Sequence, residues 1–148
     1  MKKIFNVALL ALPFLLVGCN SNNNKKDEYD IYDFISLSDI EDINYYQYGY
    51  ATSTIFQTNE DNYNSVLSKF SNLKLKEVSD NDNENDKVHL EFITSKYKQN
   101  EFILLMSEDC VFLSLNDNDV SKIYSTTISK DFYTKTKEYL DSTFTILC

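Results

Sequence analysis

Asp80, Asp82, Glu84 and Glu91 fall at relative positions 1, 3, 5 and 12 of one window, the spacing at which an EF-hand loop offers carboxylate oxygens to calcium. The same window has Asn85 where the sharp turn calls for glycine and Lys87 where an apolar residue belongs, and a strand-like run follows it in place of a helix. Residues 80–86 therefore read first as a solvated acidic loop, with cation binding across 80–91 as the weaker reading, and no cofactor or metal is expected. His89 is the only histidine, so histidine metal sites and Ser-His or Cys-His triads have one possible base and no partner order. It alternates with Lys87 and Glu91, which predicts a surface position. Glycoside hydrolysis needs two carboxyl groups ~5–10 Å apart, but with 23 acidic residues some pair always meets that condition. Gly49 is the only glycine after Gly18, and arginine is absent from the sequence. Glycine-rich phosphate cradles and bidentate anion clamps are thereby excluded.

Two further sets of side chains could carry chemistry or recognition. Tyr45, Tyr46, Tyr48 and Tyr50 lie in one strand-forming run. Alternation puts Tyr46, Tyr48 and Tyr50 on one face and Tyr45 on the other. The three can pack within the sheet or form a partner-binding face, since tyrosine gives rigid contact area with a polar tip. The cysteines are Cys19, Cys110 and Cys148. In an exported chain Cys110 and Cys148 could close a disulfide or stay as two thiols, because sequence does not supply the Cα separation that a bridge needs.

Cys19 has a different setting. Lys2 and Lys3 give a positive start, Ile4 to Val17 form an apolar stretch interrupted by Asn6, and Leu16-Val17-Gly18-Cys19 closes it. This plan resembles a bacterial lipoprotein export signal ending in a lipobox. The resemblance implies cleavage before Cys19 and a diacylglyceryl thioether on its sulfur, and two acyl chains hold a protein on a membrane where one is marginal. The apolar stretch is short of the about 20 residues a spanning helix needs, and polar residues begin at Asn20. The expected organisation is a signal at 1–18, a lipidated polar tether at 19–29 and a single domain at 30–148. The domain would stand outside the cytoplasm, on the cell membrane or an outer membrane, touching it through the lipid on Cys19.

Loss of Lys2 and Lys3 with the signal takes the formal charge from −9 to −11. Such a charge repels nucleic acid and anionic lipid and would suit a basic protein partner or a glycan. No nucleic-acid role is expected.

These residues must be positioned by short elements. Ile31 to Ile43 suggests a short strand and a turn at Ser38-Asp39, and strand formers recur over 44–50 and 52–56, so a hairpin is expected there. Tyr63, Val66, Leu67, Phe70 and Leu73 recur at helical spacing behind a cap at Thr58 or Asn59. Strands are expected at 73–78, at 88–93, and as a central hairpin pairing Phe102, Leu104 and Met106 with Val111, Leu113 and Leu115. A strand near 123–128 leads to a last helix capped by Ser129 and carrying Phe132, Thr136, Tyr139 and Leu140. The fold class is α+β, an antiparallel sheet of about five to eight short strands with two helices packed on it.

The run Ile35-Ser36-Leu37-Ser38-Asp39-Ile40-Glu41-Asp42-Ile43, with Ile128-Ser129-Lys130-Asp131-Phe132-Tyr133 and Tyr139-Leu140 later, is similar to small lipoprotein domains of low-GC Gram-positive bacteria. The resemblance implies a fold and an anchoring mode and transfers no site. The expectation is a non-enzymatic, lipid-anchored protein that binds a macromolecule, as an envelope accessory, immunity or inhibitor protein would. The alternative is a small cell-envelope hydrolase using carboxylates on glycan or peptide.

Overall fold

A computed structural model describes residues 26–47, 54–79, 88–117 and 120–145. The expected signal, Cys19, Tyr48, Tyr50, the acidic stretch 80–87 and Cys148 lie outside these residues. The chain starts on two single 3-10 turns, Ile31–Asp33 and Leu37–Asp39, where a strand was expected before the Ser38-Asp39 turn. The cause is local. Asp30 Oδ1 accepts from the Tyr32 N–H at 2.9 Å while Asp33 Oδ2 accepts from the Asp30 N–H at 2.8 Å, a reciprocal cap that satisfies backbone groups without a strand partner. Ile31 and Ile35 are thereby turned into the core.

Strand β1 (Ile40–Gln47) pairs with β2 (Thr54–Gln57), as the expected hairpin requires. A 3-10 turn at Glu60–Asn62 leads into helix α1 (Tyr63–Ser68). Apolar periodicity predicts this helix through Leu73, but Ser68 Oγ donates to the Ser65 carbonyl and Ser71 Oγ to that of Ser68, at 2.9 and 2.8 Å. Such back-bonding competes with the helical ladder, and Lys69 and Phe70 N–H groups bond three residues back rather than four. Tyr63, Val66, Leu67 and Phe70 are still buried. Thr58 does not cap the helix; its hydroxyl donates to the Thr143 carbonyl at 3.1 Å.

The remaining elements are β3 (Lys76–Val78), β4 (Val88–Thr94), β5 (Phe102–Met106), β6 (Cys110–Asp117), β7 (Val120–Thr127) and α2 (Lys130–Thr143). All strands join one antiparallel sheet in the order β2-β1-β4-β5-β6-β7-β3, and β5 occupies its centre. With α1 and α2 this is the expected α+β class. One face carries Ile43 and Tyr45 of β1, Leu90 and Phe92 of β4, Phe102, Leu104 and Met106 of β5, and Val111, Leu113 and Leu115 of β6, all buried. Helix residues Val66, Leu67, Leu140 and the following Phe144 join the same apolar cluster. Tyr45 fastens α2 to this face, its hydroxyl donating to Asp141 at 2.6 Å and its ring meeting Phe144 at 5.4 Å. No helix among the described residues is long and apolar enough to cross a membrane.

Candidate functional site

Antiparallel pairing fixes which side chains share the second face. Two register rows cross all seven strands: Ile55, Tyr46, His89, Leu105, Phe112, Ser125 and Lys76 in one, and Gln57, Asn44, Glu91, Ile103, Ser114, Ile123 and Val78 in the next. Alternation along a strand sends these residues away from Tyr45, Leu90 and Leu104. Ile103, Leu105, Phe112, Ile123 and Val78 are half-buried, and Ile55 is 47% exposed. None of them belongs to the apolar cluster that the helices close.

The rows differ in chemistry along their length. At the β2-β1-β4 end a hydrogen-bonded chain crosses the sheet. Gln57 Nε2 donates to Asp42 Oδ2 at 2.8 Å and to Asn44 Oδ1 at 3.1 Å, and Asn44 Nδ2 donates to Glu91 Oε2 at 2.9 Å. Tyr46 donates its hydroxyl to the same Glu91 oxygen at 2.7 Å. The Asn100 N–H donates to Oε1 from the β4–β5 connection, where Asn100 takes φ 66°, a left-handed conformation that asparagine tolerates. Glu91 is completely buried. Burial alone would raise its pKa, but the donors Asn44, Tyr46 and the Asn100 N–H outweigh that and hold it below the ordinary carboxylate value.

Its neighbours respond to that charge. Burial first, then the hydrogen bond and charge of Glu91, push the Tyr46 phenol up to about 12, so Tyr46 stays a donor. The Tyr46 and His89 rings pack with centroids 4.6 Å apart. Burial lowers the His89 pKa, against the pull of Glu91, and the imidazole is neutral at pH 7.

The expected surface position of His89 is therefore corrected to a half-buried one, on the same face as Glu91. Alternation assigned the face correctly. It did not reveal that Asn44 and Tyr46 arrive from a strand remote in sequence, and Asn100 from the connection after β4, to close over the carboxylate. Glu91 has both oxygens occupied by donors in this network.

No family model, curated protein or solved structure matches this chain. What the site can do must be read from its geometry. Of the expected tyrosine row, Tyr46 lies on the second face, while Tyr45 is buried on the helix side as alternation predicted. Cys110 is buried at the start of β6, with Sγ 2.9 Å from Ser107 Oγ. Among the described residues no three His, Cys, Asp or Glu side chains converge to hold a metal ion. The face thus combines a rigid polar anchor, Glu91 with Asn44 and Tyr46, and an apolar stretch running from Ile103 and Leu105 to Phe112 and Ile123.

Proposed function

We propose that this chain is a lipid-anchored extracytoplasmic domain that binds a basic protein partner through the sheet face opposite its helices, without chemistry of its own. The observation that supports this reading is the pair of register rows, which keep Ile55, Leu105, Phe112 and Ile123 outside the helix-closed core. A contiguous apolar surface with a polar anchor is the composition of an interface centre. Net charge supplies the partner's sign: at −9, or −11 after removal of residues 1–18, the domain attracts basic surfaces and repels acidic ones. Glu91 fits the role of an interface scaffold, because its carboxylate is spent on holding Asn44 and Tyr46 in place. The lipobox reading of Cys19 supplies the anchor and the location.

The test is site-specific photo-crosslinking in intact cells. A crosslinker at Leu105 should capture one discrete basic protein, and the same group at Glu138, exposed on α2, should not. Replacing Phe112 by Asp should abolish capture while leaving the far-ultraviolet spectrum unchanged. Cys19→Ser should lose fatty-acid labelling and release the chain from the membrane. Capture from both positions alike, or from neither, would sink the assignment of the face, and equal labelling of wild type and Cys19→Ser would sink the anchor.

A further inference from the structure

Towards the turn end of the β6–β7 hairpin the core-facing side of the sheet passes from buried to exposed residues. Register pairs Leu113 with Tyr124, Leu115 with Lys122 and Asp117 with Val120 on that side. Leu113 and Tyr124 are fully packed, but Val120 is 57% exposed and Lys122 and Asp117 face solvent. Two other segments flank this exposed end. Phe34, just after the first 3-10 turn, meets the Tyr124 ring at 4.7 Å, and the β4–β5 connection brings up Lys96 and Tyr97. Together they line a cavity of ≈ 390 Å³ that opens to solvent.

That volume lies within the range of small-molecule sites. At ~30 Å³ per water-sized group it holds about a dozen non-hydrogen atoms. Phe34, Tyr97, Leu115, Val120 and Tyr124 give it an aromatic and aliphatic wall, and charged side chains share the lining. That charge runs against the molecule: on a chain of −9, the charged residues lining it among the described residues are Lys96, Lys122 and Asp117. Lys96 is also held in place, with Nζ 4.6 Å from the Tyr97 ring centroid, so its ammonium loses less freedom on meeting an anion. Tyr97 is itself fixed by packing on Phe102 at 5.3 Å and by the Thr94 side chain accepting its N–H at 2.7 Å.

We propose that this cavity binds a small amphipathic carboxylate, its apolar body against Phe34, Leu115 and Tyr124 and its anionic end reached by Lys96 and Lys122. Among the described lining residues Asp117 offsets one of the two lysines, and the single positive charge left over suits a monoanion. The site lies on the helix-bearing side of the sheet and stands independently of the face assigned to the protein partner.

The experiment is ligand-observed NMR on the purified full chain at low ionic strength, with 3-phenylpropionate, its neutral analogue 3-phenylpropanamide and the cation phenethylamine. The carboxylate should bind at least about tenfold more tightly than the amide, the step expected from losing two charge-assisted contacts. A Lys96→Ala, Lys122→Ala double variant should bring the carboxylate down to the amide. Val120→Trp, placed at an exposed position, should fill the cavity and abolish binding of both. Equal affinities for acid and amide, no binding of the acid up to ~10 mM, or preferential binding of phenethylamine would each overturn the proposal. The acid–amide comparison uses the wild-type chain and stands even where a variant fails to fold.

Discussion

Glu91 carries a negative charge out of water because three protein donors, Asn44, Tyr46 and the Asn100 N–H, replace the solvent around it. That arrangement makes a stability prediction with a definite sign. Its folded pKa lies below the ordinary value of 4.5, so its stabilisation is complete above that value and is lost as pH falls through the lower, folded one. His89 adds an earlier loss: with its folded pKa below 6.5, the unfolded chain takes up the proton first as pH drops beneath 6.5. Urea unfolding should therefore show stability declining in two stages, beginning near pH 6.5 and again below pH 4.5. Glu91→Gln turns an acceptor into a donor facing other donors, should cost about 1–3 kcal/mol at pH 7, and should shrink the acidic stage to what Asp33 and Asp109, also held below the ordinary carboxylate value, contribute. Unchanged stability and an unchanged acid limb in that variant would show the network to be idle. Sequence assigned Glu91 and His89 to one face of their strand and Tyr46 to the face opposite Tyr45, because alternation is a local property of a strand; only the β1–β4 register puts the three on one side of the sheet. Their burial was illegible, since it depends on β1 pairing with β4 and on the β4–β5 connection folding back over Glu91. The cavity was illegible for a related reason: Lys122 and Val120 occupy core-facing positions, and their exposure depends on segments, around Phe34 and Tyr97, that pack from outside the hairpin.

Helix α2 and the β5–β6 hairpin are the elements most plainly written in the sequence. Their apolar patterns run long enough to fix the period, and Ser129 sits where a cap must be. Its hydroxyl accepts from the Phe132 N–H at 3.1 Å, and Thr136 and Leu140 are the residues α2 buries most completely. Ser129→Ala should cost about 1 kcal/mol through the lost cap, and Leu140→Ala about 2–5 kcal/mol through a core cavity. Chemical denaturation of the two variants should give that rank order, and a larger loss from Ser129 would mean that α2 is held by its cap rather than by its face. The short elements were misread because local hydrogen bonds override weak periodicity. Asp30 and Asp33 make a turn from an apolar run, and Ser68 and Ser71 end α1 before its pattern runs out. The edge strand β2 adds a lesson about closure: its outer side is met by Thr145, whose N–H and carbonyl both pair with Gln57.

At the scale of the whole molecule, that bridge bears on the cysteines. Thr145 pairs outside β2, while Cys110 begins β6, five strand intervals or about 24 Å across the sheet from Thr145. The three residues from Thr145 to Cys148 reach at most ~11 Å, and a disulfide needs its Cα atoms within about 7 Å. A Cys110–Cys148 bond and the Gln57–Thr145 bridge therefore compete. Alkylation without reductant should modify Cys148 in the folded chain and Cys110 after unfolding; protection of both through denaturation would mean that the disulfide wins and the bridge opens. The chain's other end is tied at the opposite edge, where Tyr29 exchanges backbone hydrogen bonds of 2.8 and 2.7 Å with Leu75, just before β3. The two ends thus leave from opposite edges of a seven-stranded sheet, about 29 Å apart at six strand spacings. With lipid on Cys19 as proposed, the tether joins the domain at the β3 edge, and Ile55 lies at the opposite, β2 edge. The site of attachment thus decides which edge of the sheet carries the anchor: a lipid moved to the C-terminal side would join through Thr145 at the β2 edge, beside Ile55, instead of through Tyr29.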